Sequence, residues 1–207
     1  MDLRPVHIVD DDADYLVSLT QLVNNLGFQT VCYASGNELL EQPDDRLHGC
    51  LILDLKMPQI TGFTVLEELA KRRVAPPVIV LTGYADVPAV VRAYQSGLVV
   101  AFLQKQAVSE IAILEAIQAA MARDDEQRST FTRRNELEVR LSQLTQPEVE
   151  VLNLLMKGAD HTRIAEALDI SRRTVENRRA KIMKKIGANS FPELVRLVLD
   201  AGYRPEA

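Results

Sequence analysis

Hydrophobic positions along the chain follow two regimes. Up to about residue 122, short apolar runs of strand length alternate with stretches in which apolar residues recur every three or four positions. The runs are Val6–Val9, 29–33, 50–54, Val78–Leu81 and Val99–Leu103. Between them, Tyr15, Leu16, Leu19, Leu22, Val23 and Leu26 carry helical spacing up to a stop at Gly27. Further helices are expected over 36–41, 63–73, 86–95 and 107–122. Pro88 falls in the first turn of its helix, where its missing N–H costs nothing. Five strands alternating with five helices predict a parallel sheet with right-handed crossovers.

Beyond residue 144 the period is helical only. Thr145, Pro147 and Glu148 form a strong helix start. Val149, Val151, Leu152, Leu155 and Met156 give that helix its apolar face, and Gly158 ends it. A short helix follows over 162–168, then a turn at Asp169-Ile170. A third helix over 172–186 is capped by Ser171 and stopped by Gly187, and a fourth starts at Pro192 and runs to Asp200. Residues 123–143 lack Gly and Pro and carry sparse apolar positions such as Phe131, Leu137 and Leu141. They read either as a solvated linker or as the preceding helix continuing to about Ser142, a rod of roughly 45 Å over some 30 residues.

The ends of the strands change the picture. Strand 1 runs into Asp10-Asp11-Asp12, strand 3 into Asp54, strand 4 into Thr82-Gly83, and strand 5 ends near Lys105. In an open parallel sheet these termini share one edge, where such folds bind their ligands. Three carboxylates packed there repel, so a hard cation such as magnesium is expected to neutralise them. An aspartate oxygen beside magnesium can attack phosphorus, with Thr82 and Lys105 stabilising the phosphoryl oxygens.

Charge separates the halves. Residues 1–121 carry 8 Lys+Arg against 15 Asp+Glu, and residues 144–207 carry 11 against 9. Seven of those basic residues fall within 171–187, with Glu176 the one acid there. An acidic front and a basic stripe imply two jobs. On the third helix Val175, Ile182, Met183 and Ile186 mark a buried stripe. Arg173, Asn177, Ala180, Lys181 and Lys184 point the other way, suited to base edges and phosphates. Cys32 and Cys50 lie in apolar context and read as two buried thiols in a reducing compartment. Neither a signal peptide nor a membrane span is visible, so a cytoplasmic protein is expected.

Residues 1–122 resemble the receiver domain of two-component response regulators, on Asp10-Asp11, Asp54 in Asp-Leu-Lys-Met-Pro, Thr82-Gly83 and Lys105. The resemblance implies an α/β flavodoxin-like receiver with a five-stranded parallel sheet of order 2-1-3-4-5. Asp54 would accept a phosphoryl group from a sensor histidine kinase. Mg2+ would be held by Asp11, Asp54 and the main-chain carbonyl of Lys56, with Asp10 in support. Phe102 stands at the family's switch aromatic position. Two features depart from the family: Gln106 follows the lysine where proline is usual, and the segment from Thr82 to Lys105 is one residue longer. The Lys105–Gln106 bond is therefore expected to be trans.

Residues 144–207 resemble the LuxR-type helix-turn-helix domain of NarL/FixJ response regulators, a small all-α module. The matching residues include Leu144-Thr145, Glu148, Gly158, Ile164-Ala165, Ile170-Ser171, Thr174-Val175 and Ile182. Glu176 and Asp86-Val-Pro88 resemble the FixJ-like branch; Arg178 replaces the usual His. Thr162, Arg172, Arg173, Thr174, Glu176, Asn177, Arg178, Ala180, Lys181, Lys184 and Lys185 are the expected contacts to double-stranded DNA. The domain organisation implied is 1–122, a linker over 123–143, and 144–207.

The function these readings support is a phosphorylation-regulated transcription factor that forms a homodimer on phosphorylation or on DNA, with no membrane partner. The alternative is a phosphorylation-independent DNA-binding regulator whose front domain mainly dimerises, for which Gln106 and the longer strand 4–5 segment speak. An enzyme of the phosphohydrolase class is disfavoured, because Lys56 stands where some phosphatases carry a second catalytic Asp.

Overall fold

The computed structural model describes residues 4–83 and 86–204. The chain divides into two compact units, residues 1–128 and 129–207. The first contains β1 (Val6–Val9), α1 (Ala13–Asn25), β2 (Thr30–Tyr33), α2 (Gly36–Leu40), β3 (Cys50–Leu53), α3 (Gly62–Leu69), β4 (Val78–Thr82), α4 (Val87–Gln95) and β5 (Val99–Gln104). The division falls inside α5 (Glu110–Ser142), a helix of 33 residues. Of the two readings for 123–143, the continued helix is the one observed. The second unit adds α6 (Gln146–Met156), α7 (His161–Leu168), α8 (Arg172–Ile186) and α9 (Phe191–Asp200).

The sheet is parallel with order β2-β1-β3-β4-β5. Its central strands are buried on both faces, and the period-2 alternation sorts their side chains into two cores. Val6, Ile8, Cys50, Ile52, Ile79 and Leu81 pack with Leu19 and Val23 of α1 and Ile113 and Ile117 of α5. Val9, Leu51, Leu53, Val78 and Val80 pack with Leu39, Val65, Leu66 and Leu69 of α2 and α3, and with Ala93 of α4. β2 lies at the sheet edge, and there Cys32 is exposed, with Sγ 3.0 Å from Thr20 Oγ1. The expectation of two buried thiols thus holds for Cys50 alone, because an edge strand has one side left open.

α3 ends at Leu69 rather than at residue 73. Lys71 and Arg72 form the following turn, and the Arg72 guanidinium donates to the carbonyls of Leu40 and Gln42.

The extra residue between Thr82 and Lys105 is absorbed at the far end of β5. Val78 pairs with Val99 but Ile79 pairs with Ala101, so Val100 bulges out of the ladder. Beyond it the register runs without slippage, Val80 with Phe102 and Thr82 with Gln104. The Lys105 N–H then donates to the Thr82 carbonyl at 3.0 Å. The longer segment therefore leaves the end of β5 in line with the end of β4. No cis peptide bond occurs among the described residues, so Lys105–Gln106 is trans as expected.

The second unit has one core. Val151, Leu152 and Leu155 of α6, Ile164 of α7, Val175, Ile182 and Ile186 of α8, and Leu194 and Val198 of α9 pack together. Leu137, from the far part of α5, is buried in the same cluster.

Candidate functional site

The carboxyl ends of β1, β3, β4 and β5 converge as the strand-end reading expects. Asp10 and Asp54 are almost sealed from water, at 3% and 6% exposure, while Asp11 is exposed. Ligand oxygens of the three lie within 4.8 Å of one another. The loop after β3 is held tightly: a Cβ on Gly62 would lie 2.4 Å from the Asp54 carbonyl oxygen, so only glycine lets α3 start this close. The Lys56 N–H donates to Asp54 Oδ1 at 3.0 Å, and the Asp12 N–H donates to Asp10 Oδ1 at 3.1 Å.

Lys105 Nζ lies 2.6 Å from Asp10 Oδ2 and 2.6 Å from Asp54 Oδ2. Burial by itself would pull the Lys105 ammonium down, but its hydrogen bonds to Asp10 and Asp54 and their charges outweigh burial and hold its pKa above the usual lysine value. Asp10 moves in the opposite sense for an acid in an ion pair. Burial raises its pKa, and the Lys105 hydrogen bond offsets this only in part. One ammonium here serves two nearly buried carboxylates with a third beside them. The site thus has room, electrostatically, for a second cation. An all-oxygen set of three carboxylates suits a hard divalent ion such as magnesium.

Thr82 is fully buried at the end of β4, and among the described residues its hydroxyl has no hydrogen-bond partner. Phe102 is half-buried on β5 against the core beneath α3 and α4. The Gln106 side chain donates to the Gly83 carbonyl at 2.9 Å, joining the loop after β5 to the loop after β4. One neighbour was not legible in the sequence as part of the site. Tyr15 reads there as part of the apolar stripe of α1, yet its ring centroid lies 4.4 Å from Lys105 Nζ. Its place in the first turn of the helix that follows Asp10-Asp11 is the signal that points to it.

In the second unit, α7 and α8 meet through a tight turn in which Asp169 adopts a left-handed conformation (φ 50°, ψ 51°). The Asp160 carboxylate caps α7 by accepting from the N–H groups of Thr162 and Arg163. The Ser171 hydroxyl caps α8 by accepting from the Thr174 N–H. Thr162, Arg172, Arg173, Glu176, Asn177, Ala180, Lys181 and Lys184 are exposed, and Thr174 is half-buried beside its cap.

Two of the expected contacts turn toward the domain instead. Lys185 Nζ lies 2.6 Å from the buried Glu148 carboxylate and donates to the Gln143 carbonyl at 3.1 Å. Arg178 Nη1 reaches the Pro147 carbonyl at 3.5 Å. Both lie on one flank of the buried stripe of α8, seven residues apart and hence on one face. The Lys185 hydrogen bond, with the Thr145 N–H, holds the Glu148 carboxyl below its usual pKa. Arg179, which the sequence reading passed over, stacks over Phe191 at 5.4 Å and contacts His161 Nε2 at 3.4 Å.

Comparison with known proteins covers the same two regions. The response regulator receiver domain matches residues 6–118, and the LuxR family of bacterial regulatory proteins matches residues 142–198. The transcriptional regulatory protein FixJ of Azorhizobium caulinodans is 40% identical over 203 residues, covering 97% of this chain and 94% of its own length. FixJ of Rhizobium meliloti is 36% identical over 200 residues, with 97% of both chains covered. Among solved structures, the response regulator StyR superposes with a TM-score of 0.78 at 32% identity, covering 95% of this chain and 98% of its own. With a receiver unit in front, a LuxR-type unit behind, and FixJ proteins matching nearly end to end, the chain belongs to the NarL/FixJ family of two-component response regulators, in its FixJ-like branch, and is a transcriptional regulator.

Proposed function

We propose that Asp54 accepts a phosphoryl group from a sensor histidine kinase and that this modification governs binding of double-stranded DNA by α7 and α8. The observation that carries the proposal is the Lys105 ammonium held 2.6 Å from both Asp54 and Asp10, with the orphaned Thr82 hydroxyl beside the same sheet edge. In this reading an Asp54 oxygen attacks phosphorus and the bond to the donor breaks. Lys105 exchanges its contact with Asp54 for one to a phosphoryl oxygen, and the Thr82 hydroxyl turns to donate to another. Asp11, Asp54 and the Lys56 main-chain carbonyl would hold Mg2+, with Asp10 in support; when bound, the ion neutralises charge on the phosphoryl oxygens. The acyl phosphate would then be lost by slow hydrolysis at the same site, without the turnover of an enzyme.

Movement of Thr82 frees space for Phe102 to shift inward, which would reshape the face made by α4 and β5. On that face Val87, Val91 and Tyr94 are 77%, 52% and 46% exposed, more apolar surface than the buried side of α4 requires. Pairing of two receivers there would bring two DNA-binding units to adjacent half-sites and raise their effective concentration. On DNA, Arg173, Asn177, Ala180 and Lys181 are assigned to base edges, and Thr162, Arg172, Thr174, Glu176 and Lys184 to the flanking backbone and neighbouring bases. Arg178 and Lys185 would reach DNA only by leaving their present partners. Among the described residues no helix is long and apolar enough to cross a membrane. A cytoplasmic setting, where kinase and promoter are both accessible, fits this role.

The test is DNA binding with and without acetyl phosphate and magnesium. Tighter binding on phosphorylation that disappears in Asp54→Asn is expected. Equal binding in both states would favour a regulator whose front unit acts without phosphorylation.

A further inference from the structure

The Lys105 ammonium has three N–H directions, and the structure offers surroundings for each. Two carboxylates, Asp10 and Asp54, stand at 2.6 Å, and the ring of Tyr15 stands with its centroid 4.4 Å from Nζ. Tyr15 comes from the first turn of α1, whose N-cap Asp12 accepts from the Tyr15 N–H at 3.0 Å. The ring is half-buried and packs against the core between α1, α5 and the sheet, so it has support besides the lysine. The face of an aromatic ring carries negative potential and attracts a cation, more so where water is partly excluded. Lysine otherwise offers a compact charge on a flexible four-carbon stem, which has to be ordered before it can meet a phosphoryl oxygen.

We propose that Tyr15 is a positioning residue for phosphoryl acceptance: its ring holds the Lys105 ammonium between Asp10 and Asp54, ready to meet the incoming group. The inference rests on Asp54 being the acceptor. When Lys105 gives up Asp54 Oδ2 for a phosphoryl oxygen, the ring and Asp10 remain as its two other neighbours. They keep the ammonium from swinging into solvent, so orientation is settled before the reaction begins. Tyr15 touches neither phosphorus nor the acceptor oxygen in this scheme and acts only through Lys105.

The experiment compares rates of acetyl phosphate-driven modification, with magnesium, in full-length wild type, Tyr15→Leu and Tyr15→Phe. Tyr15→Leu should slow modification about three- to tenfold, the range a part-buried cation–π contact supports. Tyr15→Phe, which keeps the ring face, should return the rate to within about twofold of wild type. In a Lys105→Ala background the Tyr15→Leu penalty should vanish, since the residue it orients is gone. Acylation of Lys105 by an amine-reactive ester, read by mass spectrometry, should also rise several-fold in Tyr15→Leu alone. Wild-type protein modified at Asp54 with Tyr15→Leu equally fast, or an undiminished penalty in the Lys105→Ala background, would overturn this inference and leave the acceptor intact. Wild type that takes no phosphoryl group would overturn both.

Discussion

Replacing Lys185 by methionine separates a folding role from a DNA role for a residue that the resemblance to LuxR-type domains places among the expected DNA contacts. The side chain is part-exposed, but its ammonium lies 2.6 Å from a Glu148 carboxylate that is 5% exposed, and it also serves the Gln143 carbonyl. Glu148 keeps Thr145 as its other partner, with the N–H at 2.9 Å and the side chain beside it. Methionine preserves the stem and removes the charge, leaving a buried carboxylate without its cation. Losing one partner of a fully buried pair costs about 3–5 kcal/mol. With half of this pair open to water, about 2 kcal/mol is the reasoned value. For a unit of this size that corresponds to roughly 8–16 °C in Tm. The assay is hydrogen exchange of full-length protein resolved by peptide, so that α6 and α8 report on their own unit. Protection in both helices should fall by about thirtyfold, while Glu148→Gln combined with Lys185→Met should recover part of the loss. Unchanged exchange together with weakened DNA binding would return Lys185 to the DNA face.

Asn177→Ala should weaken a specific site by about 1–3 kcal/mol and scrambled DNA far less, whereas Lys184→Ala should weaken both alike and flatten the salt slope; equal losses on both DNAs for Asn177→Ala would exclude base reading there. Burial of His7 should cost the first unit stability in mild acid, against the raised carboxyl of Asp10, which acts in the opposite sense. His7 is buried, with Nε2 donating to the His48 carbonyl and Nδ1 accepting from Tyr33, and burial depresses its pKa. A depressed pKa contributes stability that is present above pH 6.5 and lost as pH falls below it. Glu148, depressed from 4.5, acts in the same sense in the second unit only below that pH. Exchange measured from pH 7 to pH 4 should therefore show β1–β3 weakening before α6–α8; the reverse order would contradict this.

Much of this was legible in the sequence because strands ending in charged residues mark both their length and their end. Val6–Val9 stops at Asp10 and Leu51–Leu53 at Asp54, so the acid cluster followed once the sheet was inferred. The bulge at Val100 was not legible, since Val99, Val100, Ala101 and Phe102 are all apolar and nothing marks which one slips. The full length of α5 was open, because its polar stretch has few apolar positions and Leu137 is the one that becomes fully buried beyond Met121. The contacts of Tyr15 and Lys185 are tertiary, and a residue's face on its own helix does not reveal which charge lies opposite. Lys185 and Arg178 both flank the buried stripe, and that angular position is the mark in the sequence that sets them apart from the exposed face.

The converged strand ends are expected to make Asp54 a phosphoryl acceptor. Intact mass spectrometry of the protein after incubation with acetyl phosphate and magnesium tests it most directly, alongside Asp54→Asn and Asp11→Ala. One phosphoryl adduct is expected on wild type, none on Asp54→Asn, and on Asp11→Ala a much slower adduct that no longer depends on magnesium. An adduct on Asp54→Asn at the wild-type rate, or no adduct on wild type, would contradict it.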